Sequence, residues 1–237
     1  MTVFYLIHVK NYPIFQQLQL EEALLRNDQR NFCIINEGSS PAIVMGISGK
    51  PHELIDNEYA TEARIPIIKR FSGGGTVVVD EDTLFVSFIC QKSSFSFPAY
   101  PERIAKWSEE FYTHVFEGIS AFHLRENDYV LGEKKCGGNA QYIRKERWLH
   151  HTSFLWDYKP SHMQCLLHPK KTPSYREGRD HNDFLCRLKD SFPNKEHFCS
   201  LVRKALSSHF LVEELSIDAL QNKLYEESRR TTAILSF

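Results

Sequence analysis

The chain has 237 residues, 42% of them hydrophobic and 25% charged, which excludes a disordered or fibrous polymer. Lys and Arg total 29 against 30 Asp and Glu, and the net charge of −1 argues against a chain built mainly to coat nucleic acid. A chain of this length is expected to form one large domain, with room for a small appendage.

The apolar run Val3 to Ile7 is too short for a signal-peptide core, and no stretch approaches the ~20 apolar residues of a membrane span. Residues 14–27 read as a helix. Phe32–Asn36 and Ala42–Met45 are short β-rich runs, and Glu37-Gly38-Ser39-Ser40-Pro41 between them predicts a hairpin turn. Ile65–Ile68, Thr76–Val79 and Leu84–Cys90 are further strand candidates. Pro101 opens a helix, where its missing N–H costs nothing, and Ile104, Trp107, Phe111, Val115 and Ile119 form its buried face. Asp128–Leu131, a Gly132-Glu133 turn and Lys134 onward predict a tight hairpin. Trp148–Tyr158 reads as a strand, and Phe198, Leu201, Val202, Ala205, Leu206 and Phe210 mark a late amphipathic helix. Strands crowd the middle and helices flank them, without the βαβα alternation of a doubly wound parallel sheet. The fold class expected is α+β, a mostly antiparallel or mixed sheet flanked by helices.

Two segments carry chemistry. The first runs Lys69-Arg70-Phe71-Ser72-Gly73-Gly74-Gly75-Thr76-Val77-Val78-Val79-Asp80. Its glycines fit either a hairpin turn or a loop whose bare backbone N–H groups meet a ligand. Arg70 adds a planar fork of donors suited to a carboxylate or phosphate. The spacing matches neither a Walker A loop nor G-x-G-x-x-G, and no G-x-S-x-G elbow surrounds Ser72. The second segment is the lysine hairpin. Lys134 has the parity of a solvated edge charge and Lys135 the opposite parity. Gly137, Gly138 and Ala140 leave the surface beside Lys135 open, so it is either solvated or an anion-binding cation.

Other polar residues are ambiguous. His150 and His151 face opposite sides of one strand and cannot share a metal ion; His151 is the better candidate for a cleft. The cysteines (33, 90, 136, 165, 186 and 199) form no C-x-x-C pair and predict a cytoplasmic chain with reduced thiols. Residues 159–190 hold seven Lys/Arg (Lys159, Lys170, Lys171, Arg176, Arg179, Arg187, Lys189) against four Asp/Glu, either a solvated loop or a docking surface for an acidic partner.

The chain resembles the lipoate–protein ligase and lipoyltransferase family, whose catalytic domain is similar to that of biotin–protein ligases and class II aminoacyl-tRNA synthetases. The resemblance rests on three motifs in order: Leu18-Gln19-Leu20-Glu21-Glu22-Ala23, the glycine loop from Lys69 to Asp80, and the hairpin from Asn127 to Gln141 followed by His150-His151-Thr152. It implies one catalytic domain over residues 1–237 without a C-terminal accessory domain. The implied activity joins lipoate to AMP, with ATP and Mg2+ as the substrate complex. The lipoyl group then passes to a lysine of an acceptor lipoyl domain. The implied acceptors are 2-oxoacid dehydrogenase E2 subunits and the glycine cleavage H protein, with an accessory subunit as a further partner; neither nucleic acid nor a membrane is expected.

By the same resemblance Lys135 is the catalytic cation, touching the lipoyl carbonyl and the α-phosphate. Arg70, Ser72, Gly73, Gly74, Gly138, Ala140 and His151 are implied to meet the acyl substrate, with Leu18 and Leu20 walling its tunnel. Gly75, Thr76, Val77 and Val78 are implied to cradle the nucleotide, and Asp80 or Asp128 to reach Mg2+. Ile47-Ser48-Gly49, Asp82-Thr83-Leu84-Phe85 and Gly137 depart from the family pattern. An octanoyltransferase branch carries a cysteine after a proline. Here that place is His168-Pro169-Lys170, with Cys165 four residues before Pro169. Octanoyl transfer from a preactivated donor and a non-catalytic lipoate-binding subunit are the competing readings.

Overall fold

The computed structural model describes residues 2–119, 121–167, 173–220 and 231–235, without the side chains of residues 181 and 182. The strands are β1 (Val3–Lys10), β2 (Asn31–Glu37), β3 (Ala42–Met45), β4 (Ile67–Lys69), β5 (Val77–Val79), β6 (Thr83–Gln91), β7 (Phe122–Arg125), β8 (Asp128–Leu131), β9 (Lys134–Ile143), β10 (Arg147–Leu155), β11 (Leu211–Glu214) and β12 (Ala233–Leu235). The long helices are α1 (Ile14–Asn27), α2 (Pro101–Val115) and α3 (Lys195–His209); shorter helical turns join the rest. The strands form two sheets, ordered β11-β1-β2-β6-β10-β9-β8-β7 and β12-β4-β3-β5. Both mix parallel and antiparallel pairs. This is the mixed α+β class expected.

Strand alternation divides the large sheet into two faces. On one, Cys33 and Ile35 of β2, Val86 and Phe88 of β6, and Trp148 and Phe154 of β10 meet Tyr112 of α2 and Phe198 of α3 in an aromatic-rich core. On the other, Phe32, Ile34, Ile89 and Leu149 pack against Leu20, Leu24 and Leu25 of α1. Helix α1 also meets the small sheet, where Ile14 and Leu18 touch Ala42, Val44 and Val79. It therefore wedges between the sheets, and its Glu22, fully buried, accepts hydrogen bonds from Arg26, Thr231 and Thr232.

The predicted hairpin of Phe32–Asn36 with Ala42–Met45 does not form. β2 pairs with β1 and β6 in the large sheet, whereas β3 pairs with β4 and β5 in the small one. Glu37–Pro41 is a turn, but it carries the chain from one sheet to the other. Both strands are buried on both faces, so no polar alternation marks which partner each takes. Helix α3 starts three residues before Phe198, where Asn194 caps it by accepting from the His197 N–H at 2.7 Å.

The β8–β9 hairpin closes on two residues, Leu131 opposite Lys134, with Gly132 at a φ of +60° that suits the predicted turn. Gly137 of β9 lies under Phe154; a Cβ there would meet the ring at 2.7 Å. The glycine loop is not a hairpin turn either. β4 and β5 are both neighbours of β3 and not of each other, so residues 70–76 cross over the end of β3. Among the described residues, no helix is long and apolar enough to cross a membrane.

Candidate active site

A cleft of about 1110 Å³ opens between the sheets. One wall is apolar, made by Leu18 of α1, Val44 and Val79 of the small sheet, and Phe85 of β6. The glycine loop closes one side with Gly73, Gly74 and Gly75, followed by Thr76, Val77 and Val78. Lys135, Gly138 and Ala140 of β9, His151 of β10 and Asp128 of β8 complete the floor. These predicted residues are brought to one cavity. Leu20 and Ser72 do not line it: Leu20 packs beside Ile7 and Phe32, and Ser72 is fully buried behind the loop.

Arg70 takes a different task from a free anion clamp. Its Nε donates to Ser72 Oγ at 3.0 Å, its Nη1 to the Val44 carbonyl at 3.2 Å, and its Nη2 to the carbonyls of Gly73 and Gly75 at 2.8 and 2.9 Å. Four of its five N–H groups thus hold the loop's own backbone. Arg70 as a whole is 4% exposed. Burial pushes its pKa down to about 10, against the pull of Glu21. Gly74, at φ +103°, lies so close that a Cβ would sit 2.8 Å from Arg70 Nη2. The glycine is needed there for both conformation and space.

Behind the loop runs a hydrogen-bonded line absent from the sequence reading. Ser72 Oγ lies 3.0 Å from His151 Nε2, and His151 Nδ1 lies 2.9 Å from Glu21 Oε2. Glu21 is fully buried and accepts from Gln17 Nε2 at 2.9 Å and Ser87 Oγ at 2.6 Å. An ionised carboxylate only accepts, so His151 Nδ1 donates to it. Arg70 already donates into Ser72, which leaves the hydroxyl hydrogen to His151 Nε2. The signal was a charged residue, Glu21, inside the apolar stripe of α1. A Ser–His–Glu line resembles a hydrolase triad, but this hydroxyl has no exposure to a substrate.

Lys135 Nζ lies 2.7 Å from Asp128 Oδ1, and Tyr175 donates to Asp128 Oδ2 at 2.9 Å. A Cβ on Gly138 would come within 3.3 Å of Lys135 Nζ, so the glycine keeps space around the ammonium. Tyr175 belongs to a strap, residues 173–190, that also lines the cleft with Pro173, Arg176, Phe184 and Leu185. Arg176 is the functional candidate that motif reading missed. It is 5% exposed, and its Nε donates to the Arg179 carbonyl at 2.9 Å, yet its buried Nη2 has no partner. Burial lowers its pKa. Thr76 Oγ1 and Gln141 Oε1, also in the cleft wall, are likewise buried without partners. Such orphans cost about 1–3 kcal/mol each and point to a ligand that satisfies them.

Among the described residues, those lining the cleft do not form a group of three metal-ligand donors. Asp80 faces away, accepting from the Asp82 N–H and bonded to His162 Nδ1 at 3.0 Å, and Asp128 is committed to Lys135 and Tyr175. Among the described residues, the one cluster with metal-ligand donors is His8, Glu37 and Cys199, outside the cleft and beside Arg203 and Lys10. Cys165 is fully buried among Ile43, Met45 and Ile55, does not line the cleft, and burial pushes its thiol up. His168-Pro169-Lys170 lies outside the described residues.

Among the described residues, the cations of the basic stretch are paired or hydrogen-bonded within the chain. Lys159 pairs with Glu81, and Arg187 and Lys189 pair with Asp157. Arg179 donates to backbone carbonyls, and Arg176 is buried. Lys170 and Lys171 lie outside the described residues.

Residues 13–211 match the family model described as the lipoyl protein ligase A/B catalytic domain. A Plasmodium falciparum protein named inactive lipoate–protein ligase 2 is 30% identical over 88% of this chain and 69% of its own length. The Bacillus subtilis lipoate-protein ligase LplJ is 31% identical over 68% of this chain and 48% of its own length, so this chain spans about half of that relative. Among solved structures, a bipartite lipoate protein ligase studied with its E2 lipoyl domain, from Thermoplasma acidophilum, superposes with a TM-score of 0.80 at 18% identity, covering 96% of this chain and 94% of that one. A lipoate-protein ligase A bound with ATP superposes with a TM-score of 0.76 at 19% identity, covering 96% and 95%. At those identities the structures establish the shared fold, and it is the family match and the P. falciparum relative that place the chain: it belongs to the lipoyl protein ligase A/B catalytic domain family.

Proposed function

We propose that this chain is the catalytic module of a lipoate–protein ligase. It would activate lipoate with Mg·ATP and transfer the lipoyl group to a lysine of an acceptor lipoyl domain. The observation that carries the reading is one cleft with an apolar wall, a bare glycine loop, and two cations, Lys135 and the half-unpaired Arg176. A fatty-acyl-like chain fits the wall of Leu18, Val44 and Phe85. Thr76 to Val78 and Arg176 stand beside the nucleotide, and Lys135 stands where carboxylate and α-phosphate meet.

The chemistry needs no nucleophile from the protein. A lipoate carboxylate oxygen attacks the α-phosphorus, and the bond to pyrophosphate breaks. The acceptor amine then attacks the acyl carbon, losing a proton, and AMP leaves. Both steps gather negative charge on oxygens beside Lys135, and fixed donors aimed at such charge are worth roughly 3–4 kcal/mol each. Asp128 holds the ammonium in place through its 2.7 Å contact. Mg2+ enters as part of the nucleotide complex.

The similarity to a relative named inactive supports a second reading, in which the chain transfers a preformed lipoyl-AMP or only binds it. Purified protein is mixed with apo acceptor domain and either lipoate, ATP and Mg2+ or lipoyl-AMP, and the acceptor's mass is followed. Modification in both mixtures is expected, and Lys135→Ala should cut adenylate formation by roughly 10²–10³-fold. Modification with lipoyl-AMP alone makes the chain a transferase that relies on a partner for adenylation. No modification in either mixture refutes the ligase reading. Octanoyl transfer through a protein thiol is disfavoured by the burial of Cys165 away from the cleft.

A further inference from the structure

The strap and the strand that bears Lys135 are joined at one point. Lys135 and Leu185 form an isolated parallel β-bridge, and the Cys186 N–H donates to the Lys135 carbonyl at 2.9 Å. One residue further along both segments, Cys136 lies beside Cys186. Paired strands run roughly 4.7–4.9 Å apart, inside the window of about 4.4–6.8 Å between Cα atoms that a disulfide spans. The Cys186 Sγ lies 3.5 Å from the carbonyl of Lys134, on the strand that carries Cys136. The two thiols differ in access: Cys136 is fully buried with its Sγ on the Tyr129 carbonyl at 3.3 Å, whereas Cys186 is partly exposed. A hydrogen bond from Cys136 lowers the Cys186 pKa, and burial raises that of Cys136. An accessible thiol with raised thiolate character beside a buried partner is the arrangement of an attacking and a resolving cysteine.

We propose that Cys136 and Cys186 are a peroxide-oxidisable thiol pair whose disulfide staples the strap to the strand of Lys135. The Cys186 thiolate attacks a peroxide oxygen, the O–O bond breaks, and a sulfenic acid forms with release of hydroxide or alkoxide. The Cys136 sulfur then attacks the sulfenyl sulfur. The S–S bond forms, the S–O bond breaks, and the Cys136 proton leaves with that oxygen as water. Two electrons pass from the pair to the peroxide. The strap carries Tyr175 and Arg176, so the staple holds their positions over Lys135 and Asp128. This inference rests on the thiols and not on the ligase reading.

The test treats the full chain with hydrogen peroxide, blocks remaining thiols with iodoacetamide, and maps the peptides by mass spectrometry. The expected product has lost two hydrogens and links the Cys136 and Cys186 peptides, and dithiothreitol restores the starting mass. Cys186→Ser, at a partly exposed position, should abolish the link. Amide hydrogen exchange over 173–187 should slow in the oxidised form. A linkage to another cysteine, a Cys186 sulfinic acid with Cys136 still alkylated, or the same mass loss in Cys186→Ser overturns the thiol pair. Unchanged exchange in the linked protein overturns the staple.

Discussion

On the α2/α3 face of the large sheet, His150 lies among aromatic rings with no exposure, its Nε2 2.9 Å from the Tyr129 hydroxyl, which in turn lies 2.6 Å from Ser108 Oγ. On the opposite face, one residue along β10, His151 lies in the cleft between Ser72 and Glu21. Burial drives the His150 pKa down to about 3. The same ring on the same strand is thus a core filler on one side and part of a charged line on the other. The difference comes from what each face packs against. The first is sealed by Phe154, Tyr112, Phe116 and Phe198. The second opens onto the cleft of about 1110 Å³; both faces hold buried polar atoms without protein partners, Trp148 Nε1 and His150 Nδ1 on the first and Thr76 Oγ1, Gln141 Oε1 and Arg176 Nη2 at the cleft.

That contrast can be broken from either side. Phe154→Ala should be the most damaging change, removing a fully buried ring that meets Tyr112, Tyr129, Phe116 and Phe198. A loss of about 3–5 kcal/mol in denaturant unfolding is expected; a much smaller loss would mean that the sealed face is looser than drawn. Glu21→Gln turns one of the two accepting oxygens into an NH2 donor, so either His151 Nδ1 or the donors Gln17 and Ser87 lose their acceptor. It should lower stability by about 1–3 kcal/mol and weaken lipoate binding in calorimetry, while leaving the aromatic face's near-ultraviolet dichroism intact. Acid sharpens the contrast with a smaller effect per step. His150 is depressed in the folded state, so the unfolded chain binds the extra proton below about pH 6.5. Stability is fully present above that pH and is lost toward about pH 3, by at most roughly tenfold in the folding constant per pH unit. His150→Gln should flatten that slope; an unchanged slope would place the acid sensitivity elsewhere.

Local signals in the sequence were legible where one periodicity served one environment. α1 spans the predicted 14–27 and α2 starts at the predicted Pro101. The hairpin of Gly132-Glu133 followed from turn chemistry alone, and the parity of Lys134 and Lys135 followed from the hairpin. What failed was non-local. The turn residues 37–41 signal a bend, and nothing local distinguishes a hairpin from a passage between sheets. Arg70 has the chemistry of an anion clamp, yet the carbonyls that occupy it are set by how the glycine loop crosses β3. Arg176 sits in a polar, proline-marked stretch that reads as solvated, and its burial depends on the strap folding across the cleft.

β9 bears on its own alignment as well as on folding. Its working letters come in doublets, Lys134-Lys135 and Gly137-Gly138. A strand displaced by one position normally turns every side chain to the wrong surface. Here the displaced strand would again present a lysine above a glycine, a decoy nearly as good as the true alignment. The discriminator is the residue between the doublets. In the displaced alignment Cys136 would stand where Gly137 now lies, and its Cβ would be driven to 2.7 Å from Phe154. Proofreading of the address of Lys135 is thus performed by a phenylalanine on the neighbouring strand.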